Sequence, residues 1–174
     1  MLIALPVGWV VVIDIAAWLV LHLGLAWAGT QLPARLFRPG QWWCRERAWE
    51  RDGRLYATVF GVRRWKRLLP DGAALFKGGF PKSRLRAGDP AYLARFARET
   101  CRGEAVHWAV LASSGLFFIW NPWWAGLIMV VYGLAANVPC ILTQRYNRIR
   151  LFRLAARGDI QRYARGQEAD SATK

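Results

Sequence analysis

Apolar positions in this chain come in long runs rather than at helical or strand spacing. From Val7 to Trp27 the only polar side chains are Asp14 and His22, and from Val106 to Leu142 the breaks are His107, Ser113, Ser114, Asn121, Asn137 and a few glycines and prolines. A hydrocarbon core about 30 Å thick needs about 20 apolar residues in a helix, so the first run predicts a membrane span over residues 7–28. Gly29-Thr30-Gln31-Leu32-Pro33 stops it. No basic residue precedes the run and it outlasts a signal-peptide core, so a cleaved leader fits poorly. Asn121-Pro122 divides the second run at a sharp turn and predicts spans over 104–120 and 124–142, joined as an antiparallel hairpin. The expected fold class is an all-α integral membrane protein with about three transmembrane helices and interfacial amphipathic helices on the cytoplasmic side.

Between the runs, residues 30–103 are neither soluble in character nor spanning. Leu36, Phe37, Trp42, Trp43, Trp49, Tyr56, Phe60 and Trp65 alternate irregularly with Arg38, Arg45, Arg47, Arg63, Arg64, Lys66 and Arg67. Aromatic rings favour the headgroup level and long cationic chains snorkel from it, which predicts an interfacial segment. Asp52-Gly53 is a hairpin signal, but its flanks do not alternate, so short helices are preferred there. Leu69-Pro70-Asp71-Gly72 reads as a stop, residues 77–89 as a loop over a site, and Asp89-Pro90 as a helix start. The helix that follows, through Arg102, sets Tyr92, Leu93 and Phe96 on one side and Arg95, Arg98 and Arg102 on another. Residues 1–165 form one domain, followed by a disordered tail over 166–174.

Charge orients these spans. The chain carries 25 Lys and Arg against 11 acids, with no basic residue before Arg35, seventeen over residues 30–105 and eight over 143–174. A basic excess of this size suits nucleic acid in a soluble protein. Here each basic block flanks an apolar run, so the expected partners are anionic headgroups and phosphate-bearing ligands, not nucleic acid. The positive-inside rule puts the N-terminus outside and the basic segments and C-terminus in the cytoplasm. A basic cytoplasmic face without a specific ligand accounts for the same distribution. Cys44, Cys101 and Cys140 have neither the spacing of a metal site nor an even count for a disulfide framework; no metal is expected.

Three groupings hold candidate chemistry. Glu104 and His107 are three residues apart and share a helix face, so a carboxylate orients an imidazole that titrates near neutral pH, as a general base requires. The plain alternative is a histidine facing headgroups beside a solvated glutamate. Asn137, Gln144 and Arg148 fall on nearly one helical stripe beside Arg145, which gives amides for a hydroxyl or carbonyl and guanidinium groups for phosphate or carboxylate. Anchoring accounts for the arginines but not for Asn137 deep in a span. Asp14 and His22 lie within the first span, where a charged Asp14 is costly and is expected protonated or bonded to an amide such as Asn137. No P-loop, Gly-x-Ser-x-Gly elbow, His-Glu-x-x-His or dinucleotide fingerprint is present, which leaves ATP hydrolysis, serine-hydrolase and zinc-peptidase chemistry unsupported.

Trp65-Lys66 with Leu69-Pro70 and Gly72, then Glu104-x-x-His107-Trp108, then Asn137-Val138-Pro139 and Gln144-Arg145-Tyr146-Asn147-Arg148-x-Arg150-Leu151 together resemble the small bacterial glycosyl-4,4'-diaponeurosporenoate acyltransferases. The resemblance runs from about Gly29 to Leu151 in order and spacing. In staphylococci that family esterifies a sugar hydroxyl of a glycosylated carotenoid with a fatty acyl chain. It implies a bacterial cell-membrane acyltransferase, with acyl-CoA or acyl-carrier protein as acyl thioester co-substrate, no permanently bound cofactor, and a glycosylated carotenoid or another glycolipid as acceptor. Under it His107 is the base oriented by Glu104, and Asn137, Gln144, Arg145, Asn147, Arg148, Trp65 and Lys66 bind substrate, with Asn137 or Gln144 on the oxyanion. The opposed readings are a non-enzymatic membrane scaffold or subunit binding anionic headgroups, and a membrane methyltransferase.

Overall fold

The computed structural model describes residues 3, 5–69 and 90–172, with side chains considered up to residue 156. Its described residues are helical, with no strand among them. The stop at Pro70, the loop over 77–89 and the Asp89 cap lie outside the described residues.

Helix α1 spans Val7–Gln31. It passes Gly29, because a lone glycine costs a helix only about 1 kcal/mol, and ends where Leu32-Pro33 turns extended. Ala34–Leu36 and Ala48–Gly53 form short 3-10 turns, followed by α2 (Arg54–Thr58), α3 (Val62–Trp65) and a further 3-10 turn at Lys66–Leu68. The preference for short helices around Asp52-Gly53 therefore holds. Arg51, Asp52 and Gly53 all carry positive φ, and that left-handed kink takes the place of a hairpin turn.

Helix α4 runs unbroken over Pro90–Ser113, joining the expected interfacial helix to the expected second span, since Gly103 does not interrupt it. The remainder of that span, Ser114–Ile119, tightens to a 3-10 helix. Asn121-Pro122 makes the predicted turn, and α5 runs over Trp123–Ala172. The span expected over 124–142 continues as one helix through the basic stretch, as the Asn137–Arg148 stripe requires. After Pro139 nothing stronger than a lone glycine opposes the helix.

Two helices, Val7–Gln31 and Trp123–Ala156, are long and apolar enough to cross a membrane. Outward-facing Val11, Val12, Ile15, Leu19, Val20 and Leu23 on α1 are all more than half exposed. Such an unpartnered apolar surface suits lipid rather than water.

Contacts fix the directions of the helices. Arg148 meets Glu104, Asn137 meets His107, and Gly133 meets Leu111 and Ser114, so α4 and α5 are antiparallel. Arg102 reaches the carbonyl of Leu32, Gly29 abuts Val106, and Trp18 packs on Val110 and Phe117, so α1 is antiparallel to α4. The arginine-rich segments thus gather at one end of a three-helix bundle. A Cβ on Gly29 would stand 2.5 Å from Val106 Cγ2, so glycine there is a condition of close α1–α4 contact. At the basic end Tyr56, Val62, Tyr146 and Ile149 form one small core, and Leu93, Phe96 and Leu151 another. Leu93 and Phe96 thus face inward as their spacing predicts, with Arg95 exposed.

Candidate active site

The antiparallel α4–α5 pair brings two polar constellations into one seam. In the deeper one, His107 Nδ1 lies 3.0 Å from Asn137 Oδ1, and Asn137 Nδ2 donates to the carbonyl of Gly133 at 2.9 Å. The second bond bears on the first. An amide nitrogen that donates to a carbonyl leaves Oδ1 as the acceptor, an arrangement that suits an imidazole with its proton on Nδ1. Asn137 is 1 % exposed and committed at both ends of its amide. Its depth in the span is explained by this duty.

Glu104 faces the other way. Its Oε1 accepts from Arg145 Nη1 at 2.7 Å and its Oε2 from Arg148 Nη2 at 2.5 Å. The group seen against the imidazole is therefore Asn137, while Glu104 closes a buried ion cluster with Glu50. Arg145 Nε and Nη2 donate to Glu50 at 2.8 and 3.2 Å, and Arg145 also reaches the carbonyls of Trp43 and Arg45 at 3.2 Å each. Tyr56 donates to Glu50 through a very short contact. Glu50, Glu104 and Arg148 are all but fully buried. Two carboxylates against two guanidinium groups make the cluster neutral, the condition for holding charge in a low-dielectric interior. Burial works to raise the Glu50 carboxyl, but Arg145, Tyr56 and the Arg47 backbone outweigh it and hold it below its ordinary value. Burial and the Glu50 hydrogen bond push the Tyr56 phenol up.

The remaining expected site residues spread along the basic end. Lys66 Nζ donates to Asn147 Oδ1 at 3.2 Å and lies over the Tyr146 ring. Burial, then the charges of Arg150, Arg67 and Arg63, lower its affinity for its proton. Trp65 donates to the carbonyl of Phe60 and packs on the Tyr56 core. Gln144 is half-buried on α5, two turns from Asn137. Asp14 is bonded to an amide as expected, but to Asn121 and not Asn137: its Oδ1 accepts from Asn121 Nδ2 and Trp120 Nε1, both at 2.8 Å. Asn137 lies too far along α5 from the turn to serve there. His22 holds the Trp18 carbonyl at 2.9 Å and lies tilted against the Trp18 ring, away from the seam.

Sequence reasoning missed Glu50, Tyr56 and the pairing of Cys44 with Cys101. The two thiols stand 3.0 Å apart, fully buried and free. Glu50 left one weak signal, an acid between Trp49 and Arg51 in a strongly basic, aromatic stretch. No group of three or more potential metal ligands comes together among the described residues.

The sequence profile of the glycosyl-4,4'-diaponeurosporenoate acyltransferase family matches residues 40–157. The chain belongs to that family. Glycosyl-4,4'-diaponeurosporenoate acyltransferases of Staphylococcus aureus strains bovine RF122 / ET3-1 and USA300 are each 31% identical to it over 137 residues, covering 79% of this chain and 82% of theirs. As a member of the family the chain is an acyltransferase. The matched region takes in the Glu50 cluster and the His107–Asn137 pair. No solved structure matches the chain.

Proposed function

We propose that the protein esterifies a hydroxyl of a glycosylated carotenoid or related glycolipid with a fatty acyl group from an acyl thioester, at the cytoplasmic surface of a bacterial membrane, with His107 as general base. The observation that carries this reading is the Gly133–Asn137–His107 relay. A buried amide fixed at its own nitrogen suits the imidazole tautomer with its basic lone pair on Nε2.

In the reaction, Nε2 takes the proton of the acceptor hydroxyl as its oxygen attacks the thioester carbonyl. The carbon–sulfur bond breaks and the leaving thiolate recovers the proton from the imidazolium. Gln144, on the same stripe of α5, is the amide proposed to stabilise the developing oxyanion. Arg148 Nη1, buried without a partner, is a further donor on that stripe. Arg145 and the rest of the Arg148 guanidinium hold the basic segment onto the helix pair, so their role is to shape the site. Glu104 acts on the base indirectly, through the helix seam it closes.

In the membrane, α1, the second half of α4 with its 3-10 extension, and the first half of α5 make three passes, with the N-terminus outside. Support comes from the helix directions and from the arginines gathered at one end of the bundle. The test is incubation of purified protein with radiolabelled acyl-CoA and a glycosylated carotenoid, followed by identification of the labelled ester. Labelled product is expected. Acyl-CoA left intact in the presence of acceptor would overturn the reading.

A further inference from the structure

Arg145 and Arg148 spend their charge on Glu50 and Glu104, and a second group of arginines does not. Where the left-handed kink at Arg51–Gly53 meets α5, a cleft of about 280 Å³ is lined by Asp52, Arg54, Arg63, Tyr146, Arg150 and Arg153, among others. Four guanidinium groups face one carboxylate. Asp52 pairs with Arg153 at 2.8 Å, an exposed contact of the kind worth little in water, while among the described residues no carboxylate pairs with Arg54, Arg63 or Arg150. The walls are fixed. Buried Tyr146 accepts from Arg63 Nε at 2.8 Å. Gly53, at φ 77°, seats its turn so closely on α5 that a Cβ would stand 3.3 Å from Ile149 Cγ2. The same field shows in Lys66, which burial and the neighbouring charges of Arg150, Arg67 and Arg63 make a weaker base.

We propose that this cleft binds a phosphate ester. On the reading given above, that ester is the phosphate-bearing head of the acyl donor. Guanidinium forks are matched to phosphate oxygens, and several converging on one pocket form a site rather than a solvated surface.

The test uses full-length protein in detergent micelles, with coenzyme A as probe and pantetheine as the phosphate-free control. Arg54→Gln/Arg150→Gln, and Arg150→Gln alone, change exposed side chains that hold no described contact in the fold, so melting should match wild type. The double variant should bind coenzyme A at least about 10-fold more weakly, the scale of losing charge-assisted hydrogen bonds, with pantetheine binding unmoved. Unchanged coenzyme A binding together with weakened binding of a short-chain phosphatidylglycerol would keep the phosphate site but assign it to a lipid headgroup. Unchanged binding of both would overturn it. His107→Ala separates the two proposals: lost turnover with normal binding in the double variant sinks the cleft alone, and normal turnover with weakened coenzyme A binding in the double variant sinks the base alone.

Discussion

At the scale of single residues, the site rests on how two buried polar groups are satisfied. Asn137 is a positioning residue: it touches the base, and its amide is held in turn by Gly133. Asn137→Ala should lower kcat by roughly 10- to 100-fold while leaving KM for the acyl donor near wild type, because the ring loses its tautomer and direction but the donor site is intact. A rise in KM with unchanged kcat would show Asn137 to be a binding residue instead. Glu104 is a different case. Removing its charge leaves Arg145 and Arg148 partly uncompensated, and breaking a buried pair costs about 3–5 kcal/mol, so Glu104→Gln should lower thermal stability sharply and activity with it. Glu50 adds a pH dependence. Its carboxyl is held below its ordinary value of 4.5, so it stabilises the fold above that pH, and the contribution is lost as pH falls through the lower folded value. Acid titration followed by tryptophan fluorescence should show a transition below pH 4.5, weakened in Glu50→Gln. The Asn137–Arg148 stripe was legible in sequence because helical geometry alone aligns it. The Arg145–Glu50 contact joins residues 95 positions apart, and no local pattern announces such a pair.

Elements follow from the sequence where breakers are strong and depart from it where they are weak. Leu32-Pro33 and Asn121-Pro122 end helices as expected, while Gly29, Gly103 and even Pro139 leave theirs continuous. A proline inside a helix is tolerated in a long apolar segment, and α5 carries its register through Pro139 from Asn137 into the arginines. That continuity sets the site, since the relay and the ion cluster face α4 from one unbroken helix. Close contact between α1 and α4 rests on Gly29. Gly29→Ala would drive a methyl into Val106 and should cost about 1–3 kcal/mol of stability by overpacking. Val106→Ala in that background should recover most of the loss in a thermal unfolding assay, whereas equal melting of Gly29→Ala and wild type would place the helices farther apart.

For the molecule as a whole, the three helices gather nearly all folded polar structure at one end. The apolar body presents bare side chains outward, and the basic end carries its own small cores around Tyr56 and Leu93. Reporter fusions at residue 174 should show a cytoplasmic C-terminus, and one in the turn at 121–122 an external location. Labelling of that turn from inside the cell would contradict the three-pass arrangement. The central claim, that an imidazole held by Asn137 removes the acceptor proton, is tested most directly by His107→Ala. With purified, folded protein, labelled acyl-CoA and a glycosylated carotenoid, single-turnover ester formation should fall by about 10²–10⁴, with coenzyme A affinity unchanged; a variant that forms ester at the wild-type rate would contradict it.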